Sequence, residues 1–223
     1  MPAAAGAYLF LLGLASGLAL LTVTSYRHVS PTWLKWLLTV AGFFVISRYV
    51  TMALFTAEDA PQRFWALRHC WFATSVGLTL PGVFAIDQLL RHPALTPKTL
   101  LRWFSPFLAV YAAVILFGSV TPARDPSGGW TLHLDGWWRW LVSVTQGSFV
   151  LGFIVTAASL MRKIPSLQIR IALLGLILGY GYLAFDGVLV ASGRSYFRPF
   201  LFSEMVTLIA LWHAYETSAR LQS

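Results

Sequence analysis

Ionisable and hydrogen-bonding side chains inside apolar stretches are the residues of this sequence that could do chemistry. A charged group in the hydrocarbon of a membrane is costly, so each must find a partner or water. The residues that meet this description are Arg48, Tyr49, His69, Gln146, Tyr180, Tyr182, Asp186 and Glu204. Spacing along the predicted helices places them in the outer half of a helical bundle. Together they could bind a small polar ligand, with Arg48 as a fixed cation and His69 as a pH-sensitive member.

Two interpretations of this group stay open. Arg48, Asp186 and Glu204 could line an outward-facing pocket between helices. Alternatively, Arg48 could pair with Asp186 or Glu204 in a buried ion pair that fixes the helix register. We favour the pocket, because three ionisable residues exceed one pair.

The elements that position these residues are seven apolar segments, each long enough to cross about 30 Å of hydrocarbon as a helix. They cover residues 7–26, 34–56, 64–90, 101–120, 137–161, 168–192 and 199–219. Hydrophobic residues make up 57% of the chain and charged residues 11%, with a mean hydropathy of +0.69. We therefore predict an all-α, polytopic membrane protein with seven transmembrane helices in a single domain, residues 1–223.

Orientation follows from the distribution of basic residues. The first segment has no preceding Lys or Arg, so it is expected to be a retained helix and not a cleaved signal peptide. With the N-terminus outside, Lys35, Lys98 and Lys163 all fall on the inner side, as the positive-inside tendency requires. We predict an external N-terminus and a cytoplasmic C-terminus. The net charge of +8 then faces anionic headgroups, which makes the lipid bilayer the partner and argues against nucleic acid.

The longest connection, Thr121–Gly136, is rich in Pro, Gly and Asp and lies on the outer side. We predict that it is either a lid over the pocket or a plain connector. Within it, residues 130–134 are expected to form a short strand or an interfacial flap. Close helix approach is predicted at Gly13-x-x-x-Gly17 and at Gly175-x-x-x-Gly179, and a kink at Pro81.

No cofactor or metal is predicted. A retinal Schiff base needs a lysine inside a helix, and the lysines all lie at helix ends. A transmembrane haem needs two histidines at one depth, whereas His69 lies near the outer face and His213 near the inner end. Cys70 is the single cysteine, which excludes an internal disulfide.

Residues 64–190 resemble the seven-transmembrane N-terminal sensor region of bacterial histidine kinases. The resemblance is carried by Phe64-Trp65 before the helix with Pro81, by Arg102-Trp-Phe-Ser-Pro106, by Gly136-Trp-Trp-Arg-Trp140 and by the basic stretch Arg162–Arg170. It implies an environmental sensor of a bacterial inner membrane whose seventh helix feeds a cytosolic output. No phosphoacceptor or ATP-binding domain follows residue 220 here. We therefore expect that a partner supplies the output, that the chain is a fragment, or that the bundle has another role.

We expect a non-enzymatic sensor or receptor-like module that binds an unknown small ligand and signals to a protein partner, at the cytoplasmic face or within the membrane. The alternatives are an integral subunit of a larger, respiratory or assembly-related, membrane complex and a small transporter. A transporter is disfavoured because no internal repeat is visible. An enzyme is not expected, although intramembrane catalysis by His69 or His213 with an acid stays open.

Overall fold

The computed structural model describes residues 3–58, 60–91, 96–125, 129–192 and 200–221. Within these ranges the chain forms seven α-helices, a two-stranded antiparallel sheet and two 3₁₀ segments. The α-helices are α1 (Ala3–Ser25), α2 (Thr32–Ala57), α3 (Thr74–Leu90), α4 (Pro97–Phe117), α5 (Gly136–Lys163), α6 (Leu167–Ala191) and α7 (Leu201–Arg220). The strands are β1 (Val120–Arg124) and β2 (Trp130–Leu134), and the 3₁₀ segments are Tyr26–His28 and Pro61–Phe72.

Six helical stretches in the described ranges are long and apolar enough to cross a membrane. They contain α1 to α6, and the largest apolar side chains on their outer faces are exposed, as lipid-facing residues are. Examples are Phe10, Trp36, Phe117, Leu151 and Val188. These helices indicate an α-helical membrane protein, as the composition predicts.

The seventh helix is largely enclosed by its neighbours, more than any other helix except α3. α7 packs against α1, α3 and α6, and it buries polar side chains from both of its halves. They are Ser203, Glu204, Thr207, Thr217 and Ser218. A helix shielded by protein can carry such groups, which explains why α7 is less apolar than the lipid-facing helices.

The predicted third segment, residues 64–90, lies within Pro61–Leu90, a helical stretch long and apolar enough to cross a membrane, but its first part is not an α-helix. Residues 61–72 form a 3₁₀ segment broken at Phe64 (φ −112°, ψ 21°), and the α-helix begins only at Thr74. Side chains three residues apart eclipse in a 3₁₀ helix. Accordingly, Arg68 lies over the Trp65 ring, 5.4 Å from its centre, and donates to the Trp65 carbonyl at 3.0 Å. For the other six predicted segments, both bounds lie within four residues of the bounds of the observed helices, although position 199 lies outside the described residues.

The two glycine motifs have different outcomes. A Cβ at Gly179 would lie 3.0 Å from the Thr207 Cα, and one at Gly175 would lie 3.8 Å from the Ala210 Cβ. The close approach of α6 to α7 is therefore confirmed. The prediction for Gly13 and Gly17 is wrong, since a Cβ at either position would meet nothing within 4 Å. The packed face of α1 is instead the stripe of Tyr8, Leu12, Ala15 and Ala19.

Pro81 lies inside α3, which continues beyond it to Leu90. A proline in a helix weakens the hydrogen bonds of the preceding turn. Two buried tyrosines donate to carbonyls in this region: Tyr180 to Leu78 at 2.5 Å and Tyr215 to Pro81 at 2.8 Å. The proline is thereby tied to α6 and α7, in the way that neighbouring helices satisfy backbone groups in membranes.

The prediction of a short strand at residues 130–134 is confirmed, and the fold is therefore not purely α-helical. β2 pairs with β1 from Val120↔Leu134 to Arg124↔Trp130. Gly129 (φ +78°) lets the hairpin approach the end of α2, where a Cβ would lie 2.5 Å from the Thr56 Cα. Leu132 of β2 is buried where the hairpin contacts the helices, so the hairpin packs against the bundle.

Candidate functional site

Arg48 of α2 and Glu204 of α7 form a buried ion pair. The Arg48 Nη1 lies 2.7 Å from the Glu204 Oε1, and the two side chains are 13% and 4% exposed. Charges in such a setting are screened little by water, so the pair is strongly held once it is formed. Glu204 also lies in the first turn of α7, where the helix dipole favours a carboxylate.

Thr74, the first residue of α3, joins the pair and adds a third helix. Its hydroxyl accepts from the Arg48 Nη1 and donates to the Glu204 Oε1 at 3.4 Å. Arg48 Nε also contacts the Met52 sulfur, one turn further along α2, at 3.4 Å. Three helices thus meet at one guanidinium.

Two polar atoms of this group retain hydrogen-bonding capacity. The Glu204 Oε2 and the Tyr49 hydroxyl are both buried, and neither makes a hydrogen bond of good geometry with the described residues. The two side chains nevertheless form a weak hydrogen bond with each other, and Tyr49 also interacts electrostatically with Tyr8 of α1. We call Arg48, Tyr49, Thr74 and Glu204 the ion-pair cluster. Buried polar atoms that lack a good partner are rare in proteins, and they require an explanation.

Asp186 lies beside the ion-pair cluster and holds the start of α7. Its Oδ2 accepts from the Phe200 N–H at 3.1 Å and from the Ser203 hydroxyl at 2.6 Å. Phe200 has a positive φ of 71°, a backbone conformation that costs a non-glycine residue energy. Asp186 is fully buried and close enough to Glu204 to repel it electrostatically. Asp186 of α6 therefore caps the N-terminus of α7 by accepting these hydrogen bonds.

Three predicted site residues have no contact with the ion-pair cluster among the hydrogen bonds of the described residues. His69 lies in the 3₁₀ segment, and its Nδ1 is 2.5 Å from the Ile115 carbonyl of α4. Gln146 of α5 accepts from the Tyr111 hydroxyl at 2.5 Å. Tyr182 is half-buried in α6 and makes no side-chain hydrogen bond with the described residues. The structure thus joins Arg48 and Tyr49 with Glu204, sets Asp186 next to them, and gives His69 and Gln146 different partners.

Sequence reasoning missed Thr74 and Ser203, which complete the contacts of the acidic residues. Hydroxyl residues in helices usually bond to their own preceding turn, so their presence alone carries little information. Thr51 and Thr56 behave in that way, each donating to a carbonyl four residues earlier. The proximity of Ser203 to Glu204 in the chain was the one available signal.

Two open depressions on the surface of the described residues lie away from the ion-pair cluster. One is lined by Trp33 and the start of α4, and the other lies between Gln168 and His213. No residue of the ion-pair cluster lines either of them. Since the Arg48 and Glu204 side chains are only 13% and 4% exposed, a ligand could reach the pair only if side chains or helices move.

At the described positions, no three His, Cys, Asp or Glu side chains lie close enough to share a metal ion. Comparisons with protein-family models, with curated proteins and with solved structures give no match to this chain. The resemblance to sensor regions and the roles of the site residues therefore stay predictions.

Proposed function

We propose that this chain is a non-enzymatic sensor or receptor module of a bacterial inner membrane, which binds a small polar ligand at the ion-pair cluster and signals to a protein partner. In this proposal α7 is the seventh transmembrane helix, the N-terminus is external and the C-terminus is cytoplasmic. The length of α7, about 30 Å, and its enclosure by α1, α3 and α6 support a crossing despite its polar residues.

The observation that carries the proposal is that the buried Glu204 Oε2 and Tyr49 hydroxyl make no hydrogen bond of good geometry, so a ligand could offer each of them a better partner. A ligand with an amide or hydroxyl group could donate to the Glu204 Oε2 and accept from the Tyr49 hydroxyl, whereas an ammonium group could only donate to Glu204. Hydrogen bonds to a charged acceptor are stronger than neutral ones, and a dry site strengthens them further. A small polar molecule is therefore the ligand class that the cluster suits.

A signalling role is supported by the position of the cluster at one end of the enclosed helix. Glu204 lies in the first turn of α7, and Tyr215, near the other end, donates to the Pro81 carbonyl and meets the Tyr26 ring at 4.8 Å. A ligand that binds more tightly when Arg48 and Glu204 are apart would shift the equilibrium toward a second position of α7. The far end of α7 would then present a changed surface to a partner.

The experiment is a thermal-melting screen of the purified protein against free amino acids, primary amines and small amides. Parent protein is compared with Tyr49→Phe, Glu204→Gln and the matched control Glu216→Gln, which removes the same charge further along α7. We expect a compound that raises the melting temperature of the parent and of Glu216→Gln. The same compound should raise that of Tyr49→Phe less and leave Glu204→Gln unchanged.

Tyr49→Phe keeps the test decisive, because its hydroxyl makes only a weak hydrogen bond with Glu204 and its loss should not unfold the protein. A compound that shifts all four proteins equally would remove the cluster as its binding site. A complete lack of stabilising compounds would count against a receptor of small polar ligands.

A further inference from the structure

A second site of a different kind lies at the other end of the bundle, between the first turns of α2 and α4. It is an open groove of about 390 Å³ lined by Trp33, Lys98, Leu101, Arg102 and Ser105. None of these residues belongs to the ion-pair cluster, so this site is independent of the proposed function.

The two basic residues of the groove have no acidic partner among the described residues. The salt bridges among the described residues join Arg48 to Glu204 and Arg63 to Glu58, and neither involves Lys98 or Arg102. Lys98 and Arg102 are both exposed and lie four residues apart, on one face of α4. Like charges at this spacing repel each other, and an anion between them would remove the repulsion. The exposed lining of the groove is nearly all apolar, so the charged ends of these two residues lie at its rim, and it is the rim that suits an anionic group.

The remaining surface of the groove is apolar and lies at the level of an aromatic belt. Trp33 and Leu101 are half-buried walls, and nearly all of the exposed lining is apolar. Trp36 and Trp103, which flank the groove on the same helices, are 64% and 68% exposed. Exposed tryptophans at helix ends mark the headgroup region of a bilayer. Binding of a free phosphate would explain the two basic residues, but it would not explain the apolar lining of the groove.

We propose that this groove binds one anionic phospholipid, with the headgroup phosphate between Lys98 and Arg102. Trp33 and Leu101 contact the glycerol region and the adjoining part of an acyl chain. Basic pockets between transmembrane helices are a known means of holding anionic lipids. Ser105, one turn beyond Leu101, also lines the groove, and its hydroxyl donates to the Arg102 carbonyl of the same helix at 2.7 Å.

The test is native mass spectrometry of the full chain, titrated with dioleoyl phosphatidylglycerol and, separately, with dioleoyl phosphatidylcholine. Lys98→Gln/Arg102→Gln is compared with the control Arg162→Gln/Lys163→Gln, which removes two exposed charges at the end of α5. Each basic residue near an anionic headgroup contributes about fivefold, so the groove variant should bind phosphatidylglycerol about 30-fold more weakly. The control variant should bind it as the parent does.

Two further arms identify the source of the anion and guard against misfolding. Excess inorganic phosphate, at an ionic strength matched with sodium chloride, should not displace the lipid; displacement would overturn the assignment to phospholipid. The exchange Lys98→Arg/Arg102→Lys keeps both charges and should restore binding. Equal losses in the groove and control variants, or equal binding of both lipids by the parent, would also overturn the proposal.

Discussion

The Arg48 guanidinium and the Glu204 carboxylate lie 2.7 Å apart, although they come from the second and the seventh helix of the chain. Both side chains are largely shielded from solvent, and Thr74 of α3 contacts each of them. This relationship fixes α7 against α2 and α3. It also means that stability and ligand response should depend on the same pair of charges.

Removing one partner of the pair should be far more harmful than removing both. We expect Arg48→Met or Glu204→Gln alone to lower the free energy of unfolding by about 3–5 kcal/mol, because each leaves the charge of the other residue buried and uncompensated. The double variant should lose much less than the sum. A double-mutant cycle by denaturant unfolding in detergent micelles measures the difference.

The chain contains its own control for this cycle. Arg63 and Glu58 form an ion pair at 3.1 Å in which the arginine side chain is 72% exposed. Exposed pairs are worth little, so the same cycle at this pair should give a coupling below about 1 kcal/mol. Additive losses at Arg48 and Glu204 would show that the two charges do not act together.

Helix packing gives a second prediction. Gly179→Ala should destabilise the protein by about 1–3 kcal/mol, because the new Cβ would meet the backbone of Thr207, which cannot turn aside as a side chain can. Gly13→Ala has open space and should be neutral or stabilising by up to about 1 kcal/mol. Melting temperatures of the two variants provide the measurement, and an equal effect would contradict the α6–α7 packing described.

The role of Asp186 as a cap predicts a local effect. Asp186→Asn should weaken the bonds to Phe200 and Ser203, so the amides of the first turn of α7 should exchange with deuterium faster. Asp87→Asn, in the last turn of α3, is the matched control and should leave these amides unchanged. Exchange at α7 that is identical in parent and Asp186→Asn would contradict a capping role.

The proposed topology predicts where the two ends of the chain lie. In a Cys70→Ser background, an impermeant maleimide applied to intact cells should label Ala4→Cys but not Leu221→Cys, both of which are exposed. Leu221→Cys should react only after permeabilisation. Labelling of both residues in intact cells would indicate an even number of crossings, and the opposite pattern would reverse the orientation.

Much of the architecture could be predicted because the membrane imposes it. A helix that faces lipid must be long and apolar, so α1, α2, α4, α5 and α6 were visible as uninterrupted runs. The 3₁₀ segment before α3 was not visible, since its apolar content resembles that of a helix. Its backbone is set by contacts such as that of His69 with Ile115, which connect residues far apart in the chain.

The site could be predicted only in part, for a related reason. Ionisable residues in apolar segments were easy to identify, and Arg48, Glu204 and Asp186 do lie near one another. Depth along a helix says nothing about rotation around it. Gln146 therefore faces Tyr111 between α4 and α5, away from the ion-pair cluster, although its predicted depth is similar.

The most direct test of the proposed function is calorimetric titration of a compound from the melting screen into the parent and two variants, reconstituted in nanodiscs. Loss of a hydrogen bond to a charged group should weaken binding about tenfold or more, so we predict that Kd rises to this extent in Glu204→Gln. Glu216→Gln should bind the compound like the parent. An equal Kd in all three proteins would contradict ligand binding at the Arg48–Glu204 pair.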